Sequence, residues 1–387
     1  AQAHKLPVVM YTEGGGGRPG DTDVTTQIAG LNVNSFYTWA AMSGVVPRIA
    51  VNNGYCFAGN AALFGCADFT IATRSSWIGM AGPAMIEGGG LGKFEPTAIG
   101  PIDVQEKNGV VDIVAEDEAH ATAIARQLLC YFQGPVANWE VGSQDPLREL
   151  VPEERRWGYP VRRIIETLAD EGSFLELRRI FGRSIITGFI RVEGHPVALI
   201  ANDCQQMGGA VDAEASDKAA RFLRTCNAFG LPVLSLTDTP GFMVGPASEE
   251  QAAVRRMSDL FLAGAAMVVP VVAIFLRKGY GLGAMAMTGG SFLRPVYSAA
   301  WPTGEFGGMG LEGAVRLGFS KELEAEEDPA EREALFDRLV KEAYRAGQAT
   351  EAAAHLEIDA VIDPAQTRAV ILRAFAAAGW PSARAKD

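Results

Sequence analysis

Apolar positions along the chain fall into short unbroken runs that end in an acid or in glycine, a pattern that predicts buried strands feeding into helices. Residues 6–11 and 233–236 are two such runs. Thr12-Glu13 and Thr237-Asp238 follow them, and then the glycine turns 14–17 and Pro240-Gly241. Residues 48–52 and 271–276 are two more, leading to the Gly-Tyr steps Gly54-Tyr55 and Gly279-Tyr280. Small residues then open a helix, Ala58-Gly59-Asn60-Ala61 in one place and Leu282-Gly283-Ala284 in the other. Ser216 is placed to cap a helix over 217–229, whose Ala219, Ala220, Phe222, Leu223, Cys226 and Phe229 share one face before Gly230 stops it. Strand, helix, strand, helix predicts an α/β fold with covered sheets.

The same landmarks recur in one order. Leu6-Pro7-Val8 returns as Leu231-Pro232-Val233, Val45-Val46-Pro47 as Val268-Val269-Pro270, Gly54-Tyr55 as Gly279-Tyr280 and Trp77 as Trp301, always 223 to 225 residues apart. We read this as an internal duplication. Residues 134–160 are rich in Pro, Gly and charge without a clear period, as expected of a linker between halves 1–133 and 161–387. Beyond Gly318, residues 321–347 read as a charged helical stretch. Residues 358–362 then lead through Pro364 to a last helix over 366–378.

Composition narrows the function. The 387 residues suit two or three domains with sizeable cores, at 48% hydrophobic and 21% charged. No stretch offers the roughly 18 uncharged apolar residues of a membrane span; residues 260–276, interrupted by Gly264 and Pro270, read as a helix end and a buried strand. The first ten residues do not read as a signal peptide, and the missing initiator Met suggests a piece of a longer polypeptide. A net charge of −12 argues against nucleic acid as a partner, though not against a small anionic ligand. Five cysteines without a CxxC pair read as reduced thiols in a cytoplasmic protein with no zinc ribbon.

The glycine turns carry the candidate chemistry. A strand that ends in a glycine turn and opens a helix on small residues leaves backbone N–H groups unpaired, and the helix dipole favours negative charge there. That is the recipe for an oxyanion hole, and two copies suit a reaction in which two carbonyls become enolate-like. Read blandly, they are tight turns and nothing more. Gly15-Gly16-Gly17-Arg18-Pro19-Gly20 and 279–284 resemble dinucleotide loops. However, Pro19 sits inside the expected helix turn, and no acid is well placed about 20 residues on. The four histidines avoid the glycine turns, and no GxSxG or HExxH appears. The missing base suggests a proton acceptor that belongs to a cofactor.

Several segments resemble the carboxyltransferase β-type subunits of propionyl-, acetyl- and methylcrotonyl-CoA carboxylases. They are Arg277-Lys278-Gly279-Tyr280-Gly281, Thr237-Asp238-Thr239-Pro240-Gly241-Phe242, residues 215–222, Ala300-Trp301-Pro302-Thr303, Gly54-Tyr55-Cys56-Phe57-Ala58-Gly59 with Asp68-Phe69, and Ile362-Asp363-Pro364 with Thr367-Arg368. The resemblance implies two homologous crotonase-like halves and transfer of CO2 from carboxybiotin, held on a separate carrier domain, to an acyl-CoA. The released biotin takes the α-proton, and the thioester enolate attacks CO2. By position, Ala58 and Gly59 would serve the thioester oxygen and Leu282 and Gly283 the biotin ureido oxygen. Gly15, Gly16, Gly54 and Tyr55 would line the acyl-CoA side, and Gly241, Phe242, Gly279 and Tyr280 the biotin side, with no metal. The partners implied are a biotin carboxylase and a biotin carboxyl carrier protein, as separate chains or as domains of one polypeptide. The assembly implied is a hexamer built from dimers, whose sites form between the first half of one subunit and the second half of another. Ala58 and Leu282 stand where that family usually has Gly, and Tyr55 where it has Pro.

Three other readings compete. A biotin-dependent decarboxylase would run the same site in reverse. A crotonase-type hydratase or thioesterase would need a carboxylate beside a single hole. A catalytically silent scaffold subunit would not bind acyl-CoA.

Overall fold

The computed structural model describes residues 1–15 and 32–380. The chain divides into two compact units, Ala1–Gln133 with Leu177–Phe181, and Gly134–Glu176 with Gly182–Asp387.

The first unit holds strands β1 (Val8–Tyr11), β2 (Arg48–Asn52), β3 (Tyr55–Phe57), β4 (Phe69–Thr73), β5 (Trp77–Gly79) and β6 (Ile113–Ala115). Four of them form a sheet in the order β1-β2-β4-β6, and β3 pairs with β5; every pairing is parallel. β2 and β4 are buried at every position, which is why they read as unbroken apolar runs. Helix α1 (Gly59–Gly65) and the Asp117-capped α2 (Glu118–Cys130) cover them. Arg48, inside β2, is buried and pairs with Asp68 at 2.8 Å.

The second unit holds β7 (Leu175–Leu177), β8 (Ile185–Val192), β9 (His195–Asn202), β10 (Val233–Thr239), β11 (Val271–Tyr280), β12 (Tyr297–Ala300), β13 (Glu305–Gly307) and β14 (Ala360–Val361). The sheet runs β14-β12-β11-β10-β9-β8-β7, with β13 on β11. β8 and β9 form an antiparallel hairpin whose Glu193 (φ 50°) and Gly194 (φ 76°) make the left-handed two-residue turn that suits strand twist. Helix α3 (Ala213–Phe229) begins a turn earlier than expected. Asp212, not Ser216, caps it by accepting from Ala215 N at 2.8 Å, while the Ser216 hydroxyl donates to Asp212 O. Gly230, at φ 72°, ends the helix as expected. α4 (Ala253–Ala265), α5 (Gly281–Met287), α6 (Pro329–Ala346) and α7 (Thr367–Ala377) follow. The charged stretch 321–347 is two helices, Ser320–Ala325 and α6, because Asp328-Pro329 starts a new N-terminus.

Residues 134–160, expected as a linker, belong to the second unit's body. Leu147, Val151 and Tyr159 are buried in its core, and a Cβ on Gly194 would lie 2.2 Å from Val136 O. Three well-spaced apolar side chains outweigh the Pro- and Gly-rich composition.

The duplication is visible in strand register. Tyr11 faces Val51 as Leu236 faces Ile274, Gly14 faces Cys56 as Thr239 faces Gly279, and Phe57 faces Gly79 as Tyr280 faces Gly307. Equivalent residues are thus 225 apart in β1 and β10, and 223 apart from β2–β3 to β11. Gly54-Tyr55 therefore corresponds to Arg277-Lys278, and the matching Gly-Tyr at 279–280 lies two residues out of register. Trp77 pairs with Tyr55 as Glu305 pairs with Lys278, so Trp301 is not its counterpart.

Cys56, Cys204 and Cys226 are buried, whereas Cys66 and Cys130 are exposed. Burial pushes the Cys56 and Cys204 thiols up to about 11 and that of Cys226 well above the usual range. Iodoacetamide at pH 8 should therefore modify Cys66 and Cys130 in the folded protein and the other three only after denaturation. Peptide mass spectrometry reads the result, and early labelling of Cys56 or Cys204 would contradict the packing described.

Candidate active site

In the first unit β3 hands over to α1 through Ala58, at φ 53° and ψ −121°. This is the conformation of the first central residue of a hairpin-type turn that favours glycine, and an alanine in it costs about 1 kcal/mol or more. The Ala58 N–H donates to Gly79 O at 3.1 Å, so it is already engaged. The N–H groups of Gly59 and Asn60 sit in the first helical turn, where no carbonyl of the helix can reach them. Around them the chain is closely fitted. Asn60 Nδ2 donates to Thr12 O and Glu13 O, each at 3.1 Å, and Gly14 leaves room for that amide, since a Cβ there would lie 2.5 Å from it. Gly59 faces Phe36, whose Cζ would be 3.0 Å from an added Cβ. Gly54 takes φ 139°, and Tyr55 stands partly exposed, its ring 5.0 Å from that of Trp77. Gly15 borders open space, and Gly16 lies outside the described residues.

In the second unit Gly281 is the counterpart of Ala58, at φ 57°, and a Cβ there would lie 2.9 Å from Gly308 O. Leu282 and Gly283 then occupy the register of Gly59 and Asn60. Gly283 is a glycine for a steric reason. A Cβ would come within 2.5 Å of Gly241 C and 2.8 Å of Phe242 N, so its absence lets the loop after β10 lie on the first turn of α5. Gly241, Phe242, Leu282 and Gly283 therefore come together at one helix start. Tyr280 is the N-cap of that helix, and its carbonyl would lie 3.5 Å from a Cβ on Gly241. Gly279 packs between Phe275 and Phe306, and Tyr280 is only 3% exposed. Burial and the Glu305 carboxylate push the Tyr280 phenol far up, so it stays neutral, and burial also raises Glu305.

A buried ionic cluster that sequence reasoning missed holds the second turn in place. Asp238, at the end of β10 and fully buried, pairs with Arg277 at 3.0 Å and accepts from Tyr159 Oη at 2.8 Å and from Lys278 N at 3.1 Å. The Arg277 guanidinium donates to Trp157 O at 2.9 Å and lies 4.9 Å from the Tyr159 ring. The signal was present, since an acid stands at the end of both apolar runs, Glu13 after β1 and Asp238 in the last residues of β10. However, Glu13 is exposed, and only packing shows that Asp238 is buried.

An apolar cavity of about 620 Å3 opens beside this turn, lined by Gly281 and Leu282 and by Met285, Phe292, Leu293 and Leu356. Periodicity gave no sign of it, because its walls come from four separate segments. Among the described residues no group of three His, Cys, Asp or Glu could hold a metal ion, and no helix is long and apolar enough to cross a membrane.

The second turn thus sets a glycine-flanked helix start, whose first N–H groups have no partner within the helix, beside an apolar cavity. The carboxyl transferase domain family matches residues 1–385, and the chain belongs to it. It is similar to the methylmalonyl-CoA carboxyltransferase 12S subunit of Propionibacterium freudenreichii subsp. shermanii, 33% identical over 88% of this chain and 66% of that one. It is also similar to the propionyl-CoA carboxylase beta chain of Saccharopolyspora erythraea, 34% identical over 95% of this chain and 71% of that one. Among solved structures it resembles a single-chain, multi-domain long-chain acyl-CoA carboxylase with 57% identity and a TM-score of 0.89, covering 96% of this chain and 36% of that one. It resembles the transcarboxylase 12S hexamer, with methylmalonyl-CoA bound, at 30% identity and a TM-score of 0.86. The fold is the mixed α/β, crotonase-like fold of these carboxyltransferases. The chain spans about two thirds of the 12S subunit and about a third of the multi-domain carboxylase.

Removing one partner of the buried pair should cost far more than any surface change. Asp238→Asn leaves Arg277 uncompensated and should lower stability by about 3–5 kcal/mol, read as a fall in the denaturant midpoint. Ala58→Gly, which relieves the positive φ, should hold the midpoint or raise stability by up to about 1 kcal/mol. An unchanged midpoint for Asp238→Asn would show that the turn is held by other contacts.

Proposed function

We propose that this chain transfers a carboxyl group between carboxybiotin, presented on a carrier domain, and the α-carbon of a long-chain acyl-CoA. The observation that carries the reading is the repeated turn. At the same register in both units, a left-handed residue stands at a helix start and the next two N–H groups lack partners within the helix, Gly59 and Asn60 in one case and Leu282 and Gly283 in the other.

The bound carboxybiotin supplies the CO2 and the proton acceptor; the protein's residues supply position and charge stabilisation. Gly59 and Asn60 N–H serve the thioester oxygen as it gains enolate charge. Ala58, whose own N–H is bound to Gly79 O, provides the bend rather than a donor. Leu282 and Gly283 N–H serve the ureido oxygen. Donors held in place before the reaction cost no reorganisation, and each such donor typically contributes a factor of about 10²–10³ in kcat. Gly241 and Phe242, packed on Gly283, shape the biotin side; Gly15, Gly16, Gly54 and Tyr55 remain candidates for the acyl-CoA side. Carboxyl transfer would hand CO2 from the ureido ring to the acyl α-carbon and the α-proton the other way, so substituents on that carbon would lie beside the ureido site. The apolar cavity at Leu282 is where such a chain would go, and the long-chain acyl-CoA carboxylase similarity points the same way. A biotin carboxylase and a biotin carboxyl carrier protein are the partners, and the similarity to the 12S hexamer supports a hexameric assembly.

The test is carboxylation of an acyl-CoA panel from two to eighteen carbons, with carboxybiotin as donor and mass detection of the carboxylated product. The expected kcat/KM rises with chain length. Turnover of short chains alone would remove the long-chain assignment and keep carboxyl transfer; no turnover with any acyl-CoA would remove both.

A further inference from the structure

Leu356 occupies a backbone position made for glycine. The helix Ala349–Ala354 ends in a tight cap in which Leu356 N donates to Ala353 O at 3.0 Å and Glu357 N to Ala352 O at 2.9 Å. That pair of bonds requires the residue after the C-cap to be left-handed, and Leu356 is so, at φ 59°. Glycine fills such a position without steric cost, and a leucine pays one. Nothing in the fold offsets it, because the side chain is 77% exposed. The same side chain lines the apolar cavity beside the second turn, with Leu293 (70% exposed) and Leu282 (60% exposed) also on its wall. A strained backbone that holds a bare apolar side chain at a cavity mouth marks a functional constraint.

We propose that Leu356 is a specificity-determining residue that closes the cavity over the distal methylenes of a long acyl chain. The proposal rests on the long-chain carboxyl-transfer reading given above. Covering the cavity returns the contact area that the fold leaves unused, and it does so only for chains long enough to reach it. A short acyl group gains nothing.

The test compares Leu356→Gly and Leu356→Asn, both compatible with the left-handed backbone, with the unaltered protein. Palmitoyl-CoA and acetyl-CoA are the probes, and both direct binding by calorimetry and kcat/KM are measured. The palmitoyl-to-acetyl preference should fall about tenfold in both variants, as expected for losing the burial of one Leu side chain. Acetyl-CoA values should hold, and the thermal midpoint of Leu356→Gly should stay the same or rise. An unchanged preference in both variants overturns the proposal, as does an equal loss for the two probes or a change in oligomeric state without a change in preference. Binding separates the two readings: if the unaltered protein prefers palmitoyl-CoA and turns over no acyl-CoA, carboxyl transfer fails and the role of Leu356 is still decided by the calorimetric ratio.

Discussion

The pairing of Asp238 with Arg277 is the constraint on which the second turn depends. Both groups are buried, and a buried charge is tolerated only when its partner and its remaining hydrogen bonds are in place. Asp238 meets that condition through Tyr159 Oη and Lys278 N, and Arg277 through Trp157 O. The ends of β10 and β11 are thereby tied to each other and to residues 157–159. The backbone just beyond them, Gly241-Phe242 and 281–283, is carried into contact by that tie. The cluster sits at the strand ends that lead into the turn at 281–283, which suits a positioning role.

The two turns share a register and differ in how they are made. In the first, an alanine accepts a glycine's conformation and its N–H is spent on Gly79 O. In the second, glycine itself takes that place and the side chain moves one residue on, to Leu282. The first helix start is roofed by Phe36 and braced by the Asn60 amide, while the second is bare enough for the loop after β10 to lie on it. One ancestral turn has thus become a polar, braced site in one unit and a site with an apolar flank in the other. That asymmetry suits the proposed reaction, in which two chemically different carbonyls gain charge.

Leu282, Leu293 and Leu356 show why part of this site is invisible to pattern reading. They come from three separate stretches of the chain, and no helical or strand period links them. Tertiary structure alone brings them to one cavity, and the left-handed φ of Leu356 has no local sequence cue, since the residue that normally announces it is glycine.

Local physics determined a large share of this protein in advance. Unbroken apolar runs ended by glycine specified strands, buried throughout in β2 and β10, while the run at 6–11 became the partly exposed β1 because it lies at the edge of its sheet. The spacing of repeated landmarks disclosed the duplication, and the placement of small residues after each strand identified both helix starts. What the sequence alone could not decide depends on contacts between distant residues. Strand pairing corrected the register by two positions, because a Gly-Tyr dipeptide carries no information about which neighbour it faces. Packing joined 134–160 to the second unit, because Leu147, Val151 and Tyr159 found a surface to cover. Burial decided that Gly279, Tyr280 and Gly283 are enclosed while Leu282 is exposed, since which side of a strand or helix meets solvent is settled only when the other elements arrive.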